Sequence, residues 1–424
     1  MTTDKHTRIR RTALAAAVTA AALALAGCGG SGFSSAADES GADGAPQEAT
    51  EAPLTVLIGS SGAAETKAVT DSVAAWSEDS GIDAEVTAAS DLVQQLSQGF
   101  ASGNPADVFY VSADQFAGYA ANGSLEPYAE DLGNKDDFYP ALREAFTYED
   151  TLYCAPKDFS TLGLVINDKL WDDAGLTEAD VPTTWEELAD TAEKLTSGST
   201  VGLAFSPEFQ RLGAFAAQAG GGLVTDGTAT ANSAENVEAL AYAQRLMKDG
   251  VAKYSSELGS GWGGEAFGKG QAAMVIEGNW IAGALSNDFP DVDYTVAELP
   301  AGPGGKGTLQ FTNCWGIAAD SDNVGGAREL VEHLTSVDSQ MAFAQAFGVM
   351  PSVQSAADQW SAEYPDLAPF IAGGEYAQNV PAQPGASDVI GELNAQLESL
   401  KTADPQKILD TVQGDMEAVL QDTP

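Results

Sequence analysis

The 424-residue sequence predicts an α/β protein of two lobes, each a mostly parallel sheet flanked by helices. Three observations carry that expectation. Short apolar runs alternate with helical patterns from residue 54 to 111, and the same alternation returns with different residues between 185 and 276. The part able to fold, about 370 residues, is also long for a single hydrophobic core.

The elements follow in order. LTVLIG (54–59) is an apolar run closed by Ser60-Ser61-Gly62, and Val69, Val73 and Trp76 then recur at i, i+4 and i+7, so strand, loop and amphipathic helix succeed one another. A strand near 82–88 (IDAEVTA), a helix near 91–101 with Leu92, Leu96 and Phe100 on one face, and a strand at 107–111 (DVFYV) complete a β-α-β-α-β series. In the second half, Thr184 reads as an N-cap with Glu187 at N3, a capping box that starts a helix over 185–196. The strand VGLAFS (201–206), helices near 207–218 and 234–249, and the strand AAMVI (272–276) come next. After FTNCWGIAAD (311–320) the pattern is helical near 324–336, 338–347, 387–400 and 405–420, interrupted by Pro351, Pro365, Pro369, Pro381 and Pro384. No fixed-period repeat is visible, which disfavours solenoids and propellers.

Lys5, Arg8, Arg10 and Arg11 precede an apolar stretch, 12–26, too short to span a bilayer stably, and it closes on Leu25-Ala26-Gly27-Cys28. That ending matches the bacterial lipobox, in which the cysteine is acylated and becomes the new N-terminus. Residues 1–27 are therefore expected to be a lipoprotein signal peptide, with Cys28 the lipid-bearing residue. Residues 28–52 hold one aromatic and no periodicity, the composition of a flexible tether reaching roughly 25–30 Å. A folded body is thus expected outside the cell, held near the membrane but not in it.

Beyond residue 27 the chain carries 15 Lys and Arg against 61 Asp and Glu. Such a charge repels phosphate polymers, so nucleic acid is not an expected partner, and it repels an anionic membrane surface too. One histidine remains, His333, within the amphipathic ARELVEHLTS. A His-rich zinc site or a Ser-His-Asp triad lacks its raw material, and no metal or cofactor is expected. The stretch YCAPKDFSTLGLVI (153–166) joins Cys154, an adjacent Lys157-Asp158 and an apolar run. On its residues alone it fits a reactive thiol, a charge relay or a structural crossing.

Five ordered segments resemble the maltose-binding-protein-like family of extracellular solute-binding proteins of carbohydrate ABC importers: NPADVFYVSADQFAGYAANGSLEPY (104–128), LYCAPKDFSTLGLVIND (152–168), VPTTWEEL (181–188), AFGKGQAAMVIEGNW (266–280) and WGIAADSDNVGGARELVEHLTS (315–336). The resemblance covers nearly all of 53–424. It implies a type II periplasmic-binding-protein fold, two hinge-linked α/β lobes built from discontinuous segments. Lobe one is expected at 53–158 plus 315–348, and lobe two at 161–311 plus 351–424. It also implies a monomer that takes a carbohydrate ligand and serves ABC transporter permease subunits in the membrane.

A neutral sugar needs hydrogen-bonding side chains for its hydroxyls and aromatic rings for its C–H faces, in a cleft beyond the carboxyl ends of strands. Ser60 and Ser61 follow the first strand. After DVFYV, the match through Phe116, Gly118, Tyr119 and Gly123 places Asp114 on a sugar-binding aspartate of the family, with Gln115 where the family relative has arginine; Asp114 also suits a helix cap. After VGLAFS come Glu208 and Phe209, adjacent where the relative separates its acid and stacking tyrosine by one position. After AAMVI, Asn279 and Trp280 stand at a strand end, and Trp280 matches a stacking residue. Trp262, inside GSGWGGEAFGKG, is a second aromatic candidate; that segment is not a phosphate loop, because Gly270 and not Ser or Thr follows Gly-Lys. Asp158, at the crossing beside Lys157, and Trp315, beside the hinge, complete the candidates. GASDVIGELN (385–394) has no aromatic where the relative stacks another tryptophan, so the sugar is not to be copied from maltose.

With Cys28 lipidated, Cys154 and Cys314 are an even pair in an exported protein, for which a disulfide is the default. The family topology runs both cysteine segments beside the hinge, so a Cys154–Cys314 bond is expected. YCAPKDFSTLGLVI then reads as a crossing between lobes. Against the binding protein stand a glycosidase using two carboxylates, for which 61 acids make chance pairs easy, and the same fold carrying a polyol, sugar phosphate or amino acid.

Overall fold

The computed structural model describes residues 47–422. The expected signal peptide, Cys28 and the tether up to residue 46 lie outside the described residues. The strands of the main sheet are β1 Leu54–Ile58, β2 Ala84–Ala88, β3 Val108–Ser112, β4 Ala155–Asn167, β5 Val201–Phe205, β6 Ala252–Tyr254, β7 Ala272–Gly278, β8 Tyr294–Ala297, β9 Thr308–Ile317 and β10 Ala377–Asn379. They run in the order β6-β5-β7-β4-β9-β3-β1-β2, with β8 on β4 and β10 on β9.

Helical crossovers make the outer pairs parallel: β1 with β2 and β3, and β5 with β6 and β7. Between them β4 runs antiparallel to both neighbours and changes partner midway. Ala155 to Thr161 pair with β9, from Trp315 back to Gln310; Leu162 to Ile166 then pair with β7, and Leu164 to Asn167 with β8. One continuous strand therefore serves two ladders. Its second half is buried on both faces at Leu162, Leu164, Val165 and Ile166, which is why its sequence is unbroken apolar rather than alternating. Cys154, just before β4, is disulfide-bonded to Cys314 on β9, with Cα atoms 5.8 Å apart.

Two hydrophobic clusters cover the sheet. The first runs from Leu54, Val56 and Ile58 through Trp315 and Phe159 to Phe370, and on to Val275 and Ile281. The second gathers Trp185, Phe205, Phe215 and Tyr242 with Leu393, Leu409 and Met416 from the helices Ala386–Leu397 and Pro405–Asp422. The Trp185 and Tyr242 rings stack there at 4.3 Å.

Local expectations need three corrections. Thr184 caps the helix Trp185–Leu195 by accepting from the Glu187 N–H at 3.2 Å, but the Glu187 carboxylate turns one residue further out, to the Thr183 N–H and hydroxyl at 2.8 and 2.7 Å. Strand β7 continues past Ile276 because Glu277 and Gly278 extend its ladder onto Gly163 and Leu162. Residues 47–52, whose composition suggested tether, are docked. Asn323 holds the Thr50 N–H at 2.8 Å and donates to the Thr50 and Ala52 carbonyls, while Gly325 leaves room for Glu48 that a Cβ would fill.

Candidate functional site

Three groups of side chains line up along β4 and β9. The first surrounds Lys157, buried on β4. Its ammonium meets Asp158, lies 3.2 Å from Glu65 Oε1, and sits over the Tyr110 ring at 4.7 Å and the Phe347 ring at 5.5 Å. The Tyr110 hydroxyl donates to the same Glu65 oxygen at 3.1 Å, and Glu65 Oε2 accepts from the Ser61 N–H and hydroxyl, both at 2.7 Å. Burial works to raise the Glu65 carboxyl, but the Lys157 charge and the Ser61 donors outweigh it and hold the group below the ordinary carboxylate range. Burial likewise opposes the Lys157 charge, yet Asp158, Tyr110 and Glu65 together raise its pKa. This is a closed, mutually satisfied cluster, built to fix the crossing rather than to exchange protons.

The second group surrounds Trp280. Glu277, fully buried on β7, accepts from Arg211 Nε at 3.0 Å and forms an ion pair with Nη2 at 2.9 Å; the Trp280 indole N–H donates to the same oxygen at 3.2 Å. The Arg211 guanidinium lies 5.0 Å from the Trp280 ring centre, and Phe311 meets that ring edge-on at 5.7 Å. Gly278 makes the arrangement possible, since a Cβ there would come within 2.1 Å of the indole. Burial pushes the Glu277 carboxyl up against the pull of Arg211. Trp280 is held on several sides and still 36% exposed, the geometry of a stacking wall.

The third group lines a cavity of about 300 Å³ on the other side of Phe311, at the small end of the range for ligand sites. Ser112 and Asp114 enter it from the end of β3, Gln310 to Thr312 from β9, Asn379 from β10, and Gln210, Ile390 and Asn394 from two helices of the second cluster. Ile390 and Gly391 stand in the stretch without an aromatic. Elements from both ends of the sheet thus meet at the cavity.

Of the expected ligand residues, Asp114 lines the cavity, exposed at the start of the helix Ala113–Ala121. Trp280 borders it through Phe311, and Glu208 lies 4.0 Å from Arg211. The structure does not bring the others there. The Ser61 hydroxyl is committed to Glu65, and that of Ser60 donates to the Gly62 carbonyl at 2.6 Å, so this loop organises a helix start. Phe209 is a core residue, 6% exposed, because the helix Phe209–Ala219 turns its first residue inward against Leu212 and Leu393. Trp315 is fully buried 4.7 Å from Tyr110, its partner across the β9–β3 ladder. Asp158 is spent on Lys157, Asn279 donates to the Gly348 carbonyl at 3.1 Å, and Trp262 folds over Gly264. Gln115, half-buried, is outside the cavity lining. The sequence reading missed Arg211, Gln310, Phe311 and Asn394. Arg211 carried a signal, being one of four arginines after Cys28 and set two residues beyond the Glu208-Phe209 pair. Gln310 stood one residue before the segment singled out on β9.

This fold and site define a solute-binding protein, and the chain belongs to the family described as "Bacterial extracellular solute-binding protein", whose profile matches residues 71–369. It is similar to a binding protein of Brucella abortus (strain 2308), 24% identical over 353 residues, which cover 78% of this chain and 83% of that one. It is also similar to the diacetylchitobiose binding protein DasA of Streptomyces coelicolor, 22% identical over 62% of this chain and 64% of that one. In fold it matches the cyclic alpha-maltosyl-1,6-maltose binding protein from Arthrobacter globiformis, with a TM-score of 0.77 and 22% identity over 89% of this chain and 100% of that one.

Proposed function

We propose that this protein is the extracytoplasmic substrate-binding lipoprotein of an ABC importer, which captures a mono- or oligosaccharide by closure of two lobes and delivers it to a membrane permease. One observation carries the reading: an immobilised, part-exposed Trp280 stands beside a cavity whose polar lining is amides, hydroxyls and one carboxylate, with no Lys, Arg or His among the lining residues. That set suits hydroxyls and C–H faces, and it disfavours phosphate. The similarity to DasA and to the Arthrobacter protein, both named for the saccharides they bind, supports the same class.

Lobe one is proposed at 53–158 plus 315–348 and lobe two at 161–311 plus 351–424, with the β4 crossing at 158–161, just before the strand changes partner, as the hinge. A saccharide touching Asp114 on one side and Asn394 on the other favours the closed form by contacting both. The body acts as a monomer held outside the cell membrane by lipid on Cys28. A thermal-shift screen of the purified protein against a saccharide library tests this, because a ligand at 100 times its dissociation constant adds about 2.7 kcal/mol of stability. A melt moved by amino acids or ions and by no saccharide would overturn it.

A further inference from the structure

We propose that Gln210 is a specificity-determining residue of the cavity: its side-chain NH₂, held in place by Asn394, takes one hydroxyl oxygen of the bound saccharide as its acceptor. The inference rests on the carbohydrate reading of this site. Its basis is a relay whose polarity is set by a backbone group. Phe209 opens the helix Phe209–Ala219, so its N–H has no partner inside that helix, and Glu208 before it supplies no side-chain cap. Asn394, on the helix Ala386–Leu397, fills the gap by accepting from this N–H at 2.7 Å. An N–H can only donate, so Asn394 must turn Oδ1 to it and keep Nδ2 for its other neighbour. That neighbour is Gln210, which must answer with Oε1, at 3.2 Å. Flipping either amide would set two donors or two acceptors against each other.

The outcome is that Gln210 has its oxygen engaged and its NH₂ open. The residue is part-exposed on the cavity wall, and neither hydrogen of that group has a partner among the described residues. Every other amide of the lining is partly spent. Asn394 donates to Gln210, Gln310 donates to Asn379 at 2.8 Å, and Asn379 donates to the Ala141 carbonyl at 2.8 Å. The Ser112 and Ser387 hydroxyls can rotate, so they impose neither polarity on a ligand. Ile390, one helical turn before Asn394, puts an apolar side chain into the same lining, and a ligand seated there takes the place of the water that would otherwise serve the amide. A sugar hydroxyl can donate or accept, but opposite Gln210 it must accept. An analogue unable to accept leaves the amide unpaired, a loss of about 5- to 10-fold in affinity for a part-exposed donor.

The test is calorimetric titration of the full-length protein with maltose, diacetylchitobiose, glucose and N-acetylglucosamine, followed by the monodeoxy and monodeoxyfluoro analogues of whichever binds. Fluorine accepts a hydrogen bond but cannot donate one, so the two series separate the roles of each hydroxyl. The proteins are wild type, Gln210→Glu, which offers the ligand an acceptor in place of the NH₂, and Asn394→Asp, whose second oxygen calls the Gln210 NH₂ back and turns Oε1 outward. The expected result in wild type is one position where the deoxy analogue binds about 5- to 10-fold more weakly than the parent and the deoxyfluoro analogue binds more tightly than the deoxy one. At that position both variants should lose the preference for fluorine over hydrogen. A merely structural role for Asn394 would weaken the whole series evenly and leave the preference standing. Should Asn394→Asp not fold, Gln210→Glu must still show the loss. A wild type with no such position, or a fluorine preference that survives in Gln210→Glu, would overturn the proposal alone. No binding by any of the four saccharides would overturn the carbohydrate reading, and this inference with it.

Discussion

At Trp280, exposure and immobility coexist. The ring is 36% exposed, yet it donates to Glu277, lies beside Arg211 and abuts Phe311. Trp280→Ala should weaken saccharide binding by at least about 10-fold, the equivalent of about 1.4 kcal/mol, and change the ligand-free melt little. Arg211→Met should act on stability instead. It strands the buried Glu277 carboxylate, at a cost of about 3–5 kcal/mol in denaturant unfolding, and Arg211→Met combined with Glu277→Gln should recover most of the loss. Of the residues in this wall the sequence pointed to Trp280, through its place at a strand end. Phe209 and Trp315 misled for local reasons. A helix start turns Phe209 inward and Tyr110 on the neighbouring strand covers Trp315, and neither leaves a mark in the periodicity.

The strands β4 and β9 are the elements on which the site is hung. Their pairing brings Lys157 to Glu65 and Thr312 to the Asp158 carbonyl, and the Cys154–Cys314 bond closes a separation of 160 residues. Reduction, or Cys154→Ser with Cys314→Ser, should lower stability by about 2–4 kcal/mol in denaturant unfolding, and alkylation of the unreduced, denatured protein should label neither residue. The Glu65 carboxyl gives these elements a pH dependence of defined sign. Its folded pKa lies below the ordinary value of 4.5, so its stabilisation is complete above that value and is lost as pH falls through the lower, folded one. Glu65→Gln should flatten the acid limb of stability below about pH 4.5 relative to wild type, read from urea midpoints. The elements themselves were legible in the sequence, because strands and helices write their periods locally: Val69, Val73 and Trp76 face the core as their spacing predicts.

Over the whole molecule, the α/β architecture was readable from the alternation of apolar runs and helical patterns, whereas the cavity was not. Gln210, Gln310, Asn379 and Asn394 are neutral, mutually remote in sequence and unremarkable singly; only the crossing of β4 and β9 and the return of the last helices assemble them. The same assembly gives the molecule its proposed mechanism. A cavity walled from both sides of the crossing is completed when the two sides approach, and the ligand that bridges them stabilises that state. The most direct measurement is calorimetric titration of the purified protein with a saccharide that shifts its melt, followed by chromatography of the recovered sugar. Saturable binding of one saccharide per chain, with the sugar recovered intact, is the predicted result; absence of saturable binding, or recovery of cleaved sugar, would contradict the account.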